Sequence, residues 1–169
     1  MFKKASIAAL AAFLCGFFGL PAQPSLMEIR SASDTVLAVF IAGDSRDANA
    51  VHTDDVSLWK INGTAATGVY RYSTASNPFD HHVYLTTSRL EEGKKYFVET
   101  PYGNREVVFR ERDIFCESIK TNQAGYSAQS GRRHALFAIW LGTGGPAKIE
   151  GALPGYEVWN SRTGRTVAA

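Results

Sequence analysis

The stretch Leu90-Glu91-Glu92-Gly93-Lys94-Lys95-Tyr96-Phe97-Val98-Glu99 sets a leucine, a glycine and a tyrosine at three-residue steps and runs directly into an apolar strand. A tyrosine so placed can fold back and bond its hydroxyl to upstream backbone, pinning the corner between two strands. Downstream, Pro101-Tyr102-Gly103-Asn104 is a turn with a mechanism for each residue, and Glu106-Val107-Val108-Phe109-Arg110 is the strand that leaves it. Upstream, His82-Val83-Tyr84-Leu85-Thr86-Thr87 puts Val83 and Leu85 on one face and His82, Tyr84 and Thr86 on the other. Val69-Tyr70-Arg71-Tyr72 is a short aromatic strand, with Asn77-Pro78 breaking the chain after it. Val56-Ser57-Leu58-Trp59-Lys60-Ile61 alternates and stops at Asn62-Gly63, a strong hairpin signal. Thr35–Ala42 is β-branched and apolar, closed by Gly43-Asp44-Ser45. No segment holds a helical period with caps, so this succession predicts an all-β sandwich over residues 27–115.

The tyrosine corner, and Trp59 as a large ring for the core, point to the Ig-like or fibronectin III-like type of sandwich. After the charged run Glu111-Arg112-Asp113 a second module is expected over 116–169, with about four strands and an incomplete sandwich. Within it His134–Leu141 is almost wholly apolar, as in a strand of a buried core, and Trp140 is assigned to that core with Trp59. Gly142-Thr143-Gly144-Gly145-Pro146 makes the next turn.

Ile119-Lys120-Thr121-Asn122-Gln123-Ala124-Gly125-Tyr126, then Arg132 and Arg133 before an apolar strand, then Tyr156-Glu157-Val158-Trp159 and Thr163-Gly164-Arg165-Thr166-Val167 carry a resemblance. Residues 116–169 resemble the N-terminal Ig-like domain that precedes the catalytic barrel of glycoside hydrolase family 9 cellulases. The resemblance implies a parent enzyme that hydrolyses β-1,4-glucan with inversion, which needs two carboxyls about 6.5–9.5 Å apart across the scissile bond. The aspartate pair and the glutamate of that barrel have no counterpart in these residues, so no catalytic residue is assigned. The family domain has further strands after the Thr-Gly-x-x-Val turn. Here an open edge and an uncovered apolar face are expected in their place. The implied role is a non-catalytic module that braces or orients a family 9 catalytic domain, with β-glucan as the polymer concerned. A stand-alone secreted sandwich that binds carbohydrate or protein is the alternative.

Charge excludes a nucleic-acid binder. Lysine and arginine total 18 against 16 acidic residues, and without Lys3 and Lys4 the two counts are equal, leaving no basic stripe to displace counterions. Those two lysines open the basic start Met1–Lys4, followed by the uncharged apolar run Ala5–Leu20 and then Pro21-Ala22-Gln23-Pro24-Ser25. The run falls short of the roughly 20 residues that span a bilayer and reads as a signal peptide over 1–22, with cleavage after Ala22. The expected location is secreted, with no membrane association once the signal is removed. Cys15 leaves with the signal, so Cys116 stays without an intramolecular partner and reads as a half-buried structural thiol or an inter-chain one.

Four sets of residues are candidates for function. Asn122, Gln123, Gly125 and Tyr126 form either a loop knot or a domain-docking surface: Gly125 accepts a positive φ, and the two amides can tie loop backbone. Tyr70, Tyr72, Tyr84 and Tyr102 offer rings for stacking on sugars. Asn62-Gly63-Thr64 is a glycosylation sequon, usable in a eukaryotic source. His52, Asp54 and Asp55, with Asp80, His81 and His82, are metal-donor types at a spacing that fits no compact motif, so neither metal nor cofactor is assigned. Gly142–Gly145 precedes no Gly-Lys-Ser/Thr and is no phosphate cradle, and no Gly-x-Ser-x-Gly elbow raises a nucleophile.

Overall fold

The computed structural model describes residues 23–43, 50–74, 79–112, 118–122, 124–127, 129–147 and 156–168. The signal-peptide region, Cys116 and Gln123 lie outside them. Twelve strands and two short 3-10 turns make up the regular structure of the described residues, all of it antiparallel.

One sheet is built from β1 (Ser25–Ser33), β2 (Val36–Gly43), β5 (Gly68–Thr74) and β6 (Phe79–Thr86), in the order β1-β2-β6-β5. The other takes β3 (Lys60–Ile61), β4 (Thr64–Ala65), β7 (Lys95–Thr100) and β8 (Gly103–Val108), in the order β4-β3-β7-β8. Alternation sends Leu37, Val39 and Ile41 of β2 and Val83 and Leu85 of β6 inward, where they meet Trp59, Ile61, Tyr96 and Val98 from the second sheet. Trp59 is fully buried, as expected of the core ring. His81 also turns inward and is buried, its Nδ1 at 2.9 Å from Ser73 Oγ.

The corner that decides the fold is present. Tyr96 is buried, and its hydroxyl accepts the Glu91 N–H at 2.8 Å. Gly93, at φ 75°, makes the sharp turn between them. The hairpin at Asn62-Gly63 has both residues at positive φ, the condition for a tight turn matching strand twist. Val56–Leu58 departs from the expected strand. Asp55 Oδ1 accepts both the Ser57 N–H at 3.0 Å and the Ser57 hydroxyl at 2.6 Å, and this local capping folds the three residues into a 3-10 turn.

After residue 116 the described strands form two small ladders. β9 (Ile119–Thr121) pairs with β10 (Ala135–Phe137), and β11 (Val158–Trp159) pairs with β12 (Thr166–Ala168). The apolar run His134–Leu141 is not a core strand. Leu136 and Phe137 are exposed, as none of the other described strands pairs with this three-residue ladder, and Trp140 beyond it is 59% exposed. Leu141 alone is buried, and it packs with Ala32, Val36, Ala38 and Tyr84 on the outer face of the first sheet. Ile139 and Ala147 pack beside it, and the Ala147 N–H donates to Ile139 O at 3.0 Å, so 139–147 is a compact strap lying on the sandwich. Ser118 fixes the start of this region: its N–H and its hydroxyl both donate to Ala32 O, the former at 3.2 Å.

Candidate ligand and docking surfaces

The outer face of the first sheet carries a row of rings set by register. Phe40 of β2 lies opposite His82 of β6, which lies opposite Tyr72 of β5. The Phe40 and His82 ring centroids are 4.6 Å apart at 64°, and those of Tyr72 and His82 6.1 Å apart at 90°. Edge-to-face contacts of this kind hold aromatic pairs together. The Arg30 guanidinium sits 5.0 Å over Phe40 and donates to Glu28 Oε2 at 2.7 Å. That hydrogen bond, and to a smaller extent the arginine's charge, hold the Glu28 carboxyl below its ordinary value of 4.5.

The expected four-tyrosine platform does not form. Tyr70, Tyr72 and Tyr84 share the outer face, but the strap covers two of them. Tyr84 is buried beside Leu141. The Tyr70 ring lies so close under Gly144 that a Cβ on that glycine would meet ring carbons at 2.7 Å. Tyr102 belongs to the far turn, with its ring 6.0 Å from that of Trp59 and its hydroxyl accepting the His52 N–H at 3.0 Å. Tyr72 is the one left open, 47% exposed.

The strap itself depends on glycine. Gly142 has φ 62°, and a Cβ there would fall 2.1 Å from Arg71 O. Thr143 between the two glycines accepts the Arg71 N–H on its Oγ1 at 3.1 Å, closing part of the exposed edge of β5. The Gly-Thr-Gly-Gly run is the sequence signal for this close approach.

The remaining candidates have structural settings. Asn122 donates from Nδ2 to Gly125 O at 2.9 Å and accepts the Ala124 N–H on Oδ1 at 3.0 Å, so it shapes its own turn. Gly125 takes φ 81°, and the Tyr126 hydroxyl donates to His134 O across the loop. Asn62 is exposed at its turn, with Oδ1 accepting the Phe97 N–H at 2.7 Å. The metal-donor residues are dispersed: Asp55 caps the 3-10 turn, while alternation along β6 sends His81 inward and His82 outward. Among the described residues no group of three His, Cys, Asp or Glu is placed to hold a metal ion.

The exposure of apolar side chains after residue 116 was not foreseen in its extent. Ile119, Tyr126, Leu136, Phe137, Trp140, Tyr156, Val158 and Val167 are all exposed, Leu136 at 68% and Tyr156 at 72%. They account for most of the large hydrophobic side chains that the described residues leave open, and all belong to the region after 116. Compared with known families, with curated proteins and with solved structures, the chain matches none of them.

Proposed function

We propose that this chain is a secreted, non-catalytic module of polysaccharide breakdown that braces a separate glycoside hydrolase domain of the family 9 type. In this reading the sandwich is Ig-like, and residues 116–169 belong to a second module anchored on it by Leu141 and Ser118. The observation that carries the reading is the concentration of exposed apolar side chains between Ile119 and Val167. Soluble proteins rarely leave so many such groups open unless another surface covers them. Asn122 supports the same role, since its amide is spent on its own turn, while Tyr126 lies exposed beside it.

The test is sedimentation of the chain with a separately produced family 9 catalytic barrel, with reducing-sugar release from amorphous cellulose measured in parallel. The expected outcome is association with the barrel, weakened about tenfold or more by Leu136→Ser with Phe137→Ser, and no sugar released by the chain alone. Sugar release by the chain alone, or no association, would overturn the proposal.

A further inference from the structure

Beside the aromatic row, an open cleft of roughly 400 Å³ runs along the edge of the first sheet, lined by Arg71, Tyr72, Ser73, Trp140, Gly142 and Thr143. Its size falls within the usual range of ligand sites, about 300–1,000 Å³. We infer that this cleft, between the exposed rings of Tyr72 and Trp140, binds a neutral polysaccharide. The two rings come from parts of the chain about as far apart as the strap from β5, and the strap brings them to one place. This inference goes beyond the bracing role, because it needs no partner domain.

The chemistry of the walls selects the ligand class. Tyr72 and Trp140 present apolar ring surface, which suits the C–H face of a pyranose. Thr143 Oγ1 accepts the Arg71 N–H and therefore keeps its own proton to donate to a sugar hydroxyl. No carboxylate lines the cleft, so a cationic ligand finds no counter-charge there, and the guanidinium of Arg71 is tied to Val51 O at 2.8 Å. An extended peptide is disfavoured for a separate reason. To add as a strand to β5 it would need the Arg71 N–H and C=O, and the first is bonded to Thr143 while Gly142 packs against the second.

Native affinity electrophoresis of the full chain through gels containing mixed-linkage β-glucan or hydroxyethyl cellulose tests this directly. Retardation is expected, with Tyr72→Ala and Trp140→Ala each weakening it about tenfold. Phe97→Ala, which removes an exposed ring from the opposite sheet, should leave retardation unchanged. Tryptophan fluorescence gives a second readout: glucan should shift the emission of the native chain and leave that of Trp140→Ala unmoved, because neither other tryptophan lines the cleft, Trp59 being buried and Trp159 lying under Arg112. Absence of retardation on both neutral polymers would overturn the inference. So would retardation that survives Tyr72→Ala with Trp140→Ala, or retardation seen only on polygalacturonate.

Discussion

At the scale of single residues, two contacts make sharp claims. The Tyr96 hydroxyl is bonded to the Glu91 N–H from a buried ring, so Tyr96→Phe removes one hydrogen bond and little else. Its expected cost is about 1 kcal/mol, read as a lower urea midpoint with an unchanged denaturant slope. The second contact is Glu28 with Arg30. Glu28 is depressed chiefly by its hydrogen bond to Arg30, so its folded pKa lies below the 4.5 it approaches when unfolded. The pair's contribution to stability is therefore present above pH 4.5 and is lost as pH falls through the lowered folded value. Both side chains are more than a third exposed, so the effect on stability is small. Carboxyl-carbon NMR titration should place Glu28 below 4.5, and Arg30→Gln should bring it back towards that value.

Elements separate what the sequence discloses from what it conceals. Alternation and turn chemistry are local, and they foretold the Tyr96 corner, the Asn62-Gly63 hairpin, the inward Val83 and Leu85, and Gly125 in its left-handed turn. They failed at Val56–Leu58, where Asp55 offers the backbone a competing local bond, and at His134–Leu141, where no other described strand pairs with Ala135–Phe137 beyond β9 and only Leu141 is buried. The tyrosine platform failed for a non-local reason: nothing within β5 or β6 reveals that residues 139–147 will lie across Tyr70 and Tyr84. The strap also makes a prediction of its own. Gly142→Ala combines a positive φ with a Cβ 2.1 Å from Arg71 O, whereas Gly145→Ala, at φ 72°, has open space around its Cβ. With ψ −159°, a region essentially confined to glycine, Gly145→Ala should cost about 1–3 kcal/mol of backbone strain alone. Gly142→Ala should in addition lift the turn from β5 and speed hydrogen exchange at the Arg71 amide, which Thr143 otherwise protects.

Across the whole molecule the question is whether the region after 116 shares the stability of the sandwich. Ser118 is bonded to Ala32, Leu141 is buried among Ala32, Val36, Ala38 and Tyr84, and Arg112 lies 5.5 Å over the Trp159 ring while reaching Glu157 at 3.3 Å. The last is an exposed pair of little weight, so coupling rests mainly on Leu141 and Ser118. Beneath Leu141, β2 is buried on both faces, and removing the leucine side chain would uncover Ala38 and Tyr84 of the first sheet. Leu141→Ala should therefore lower the stability of the sandwich itself by about 2 kcal/mol. The readout is hydrogen exchange at amides of β2 and β6, far from the substitution in sequence. Two modules folding independently would leave those amides unchanged, and the exposed ladder residue Leu136 provides the contrast, since Leu136→Ala touches no part of that core and should leave them as they are.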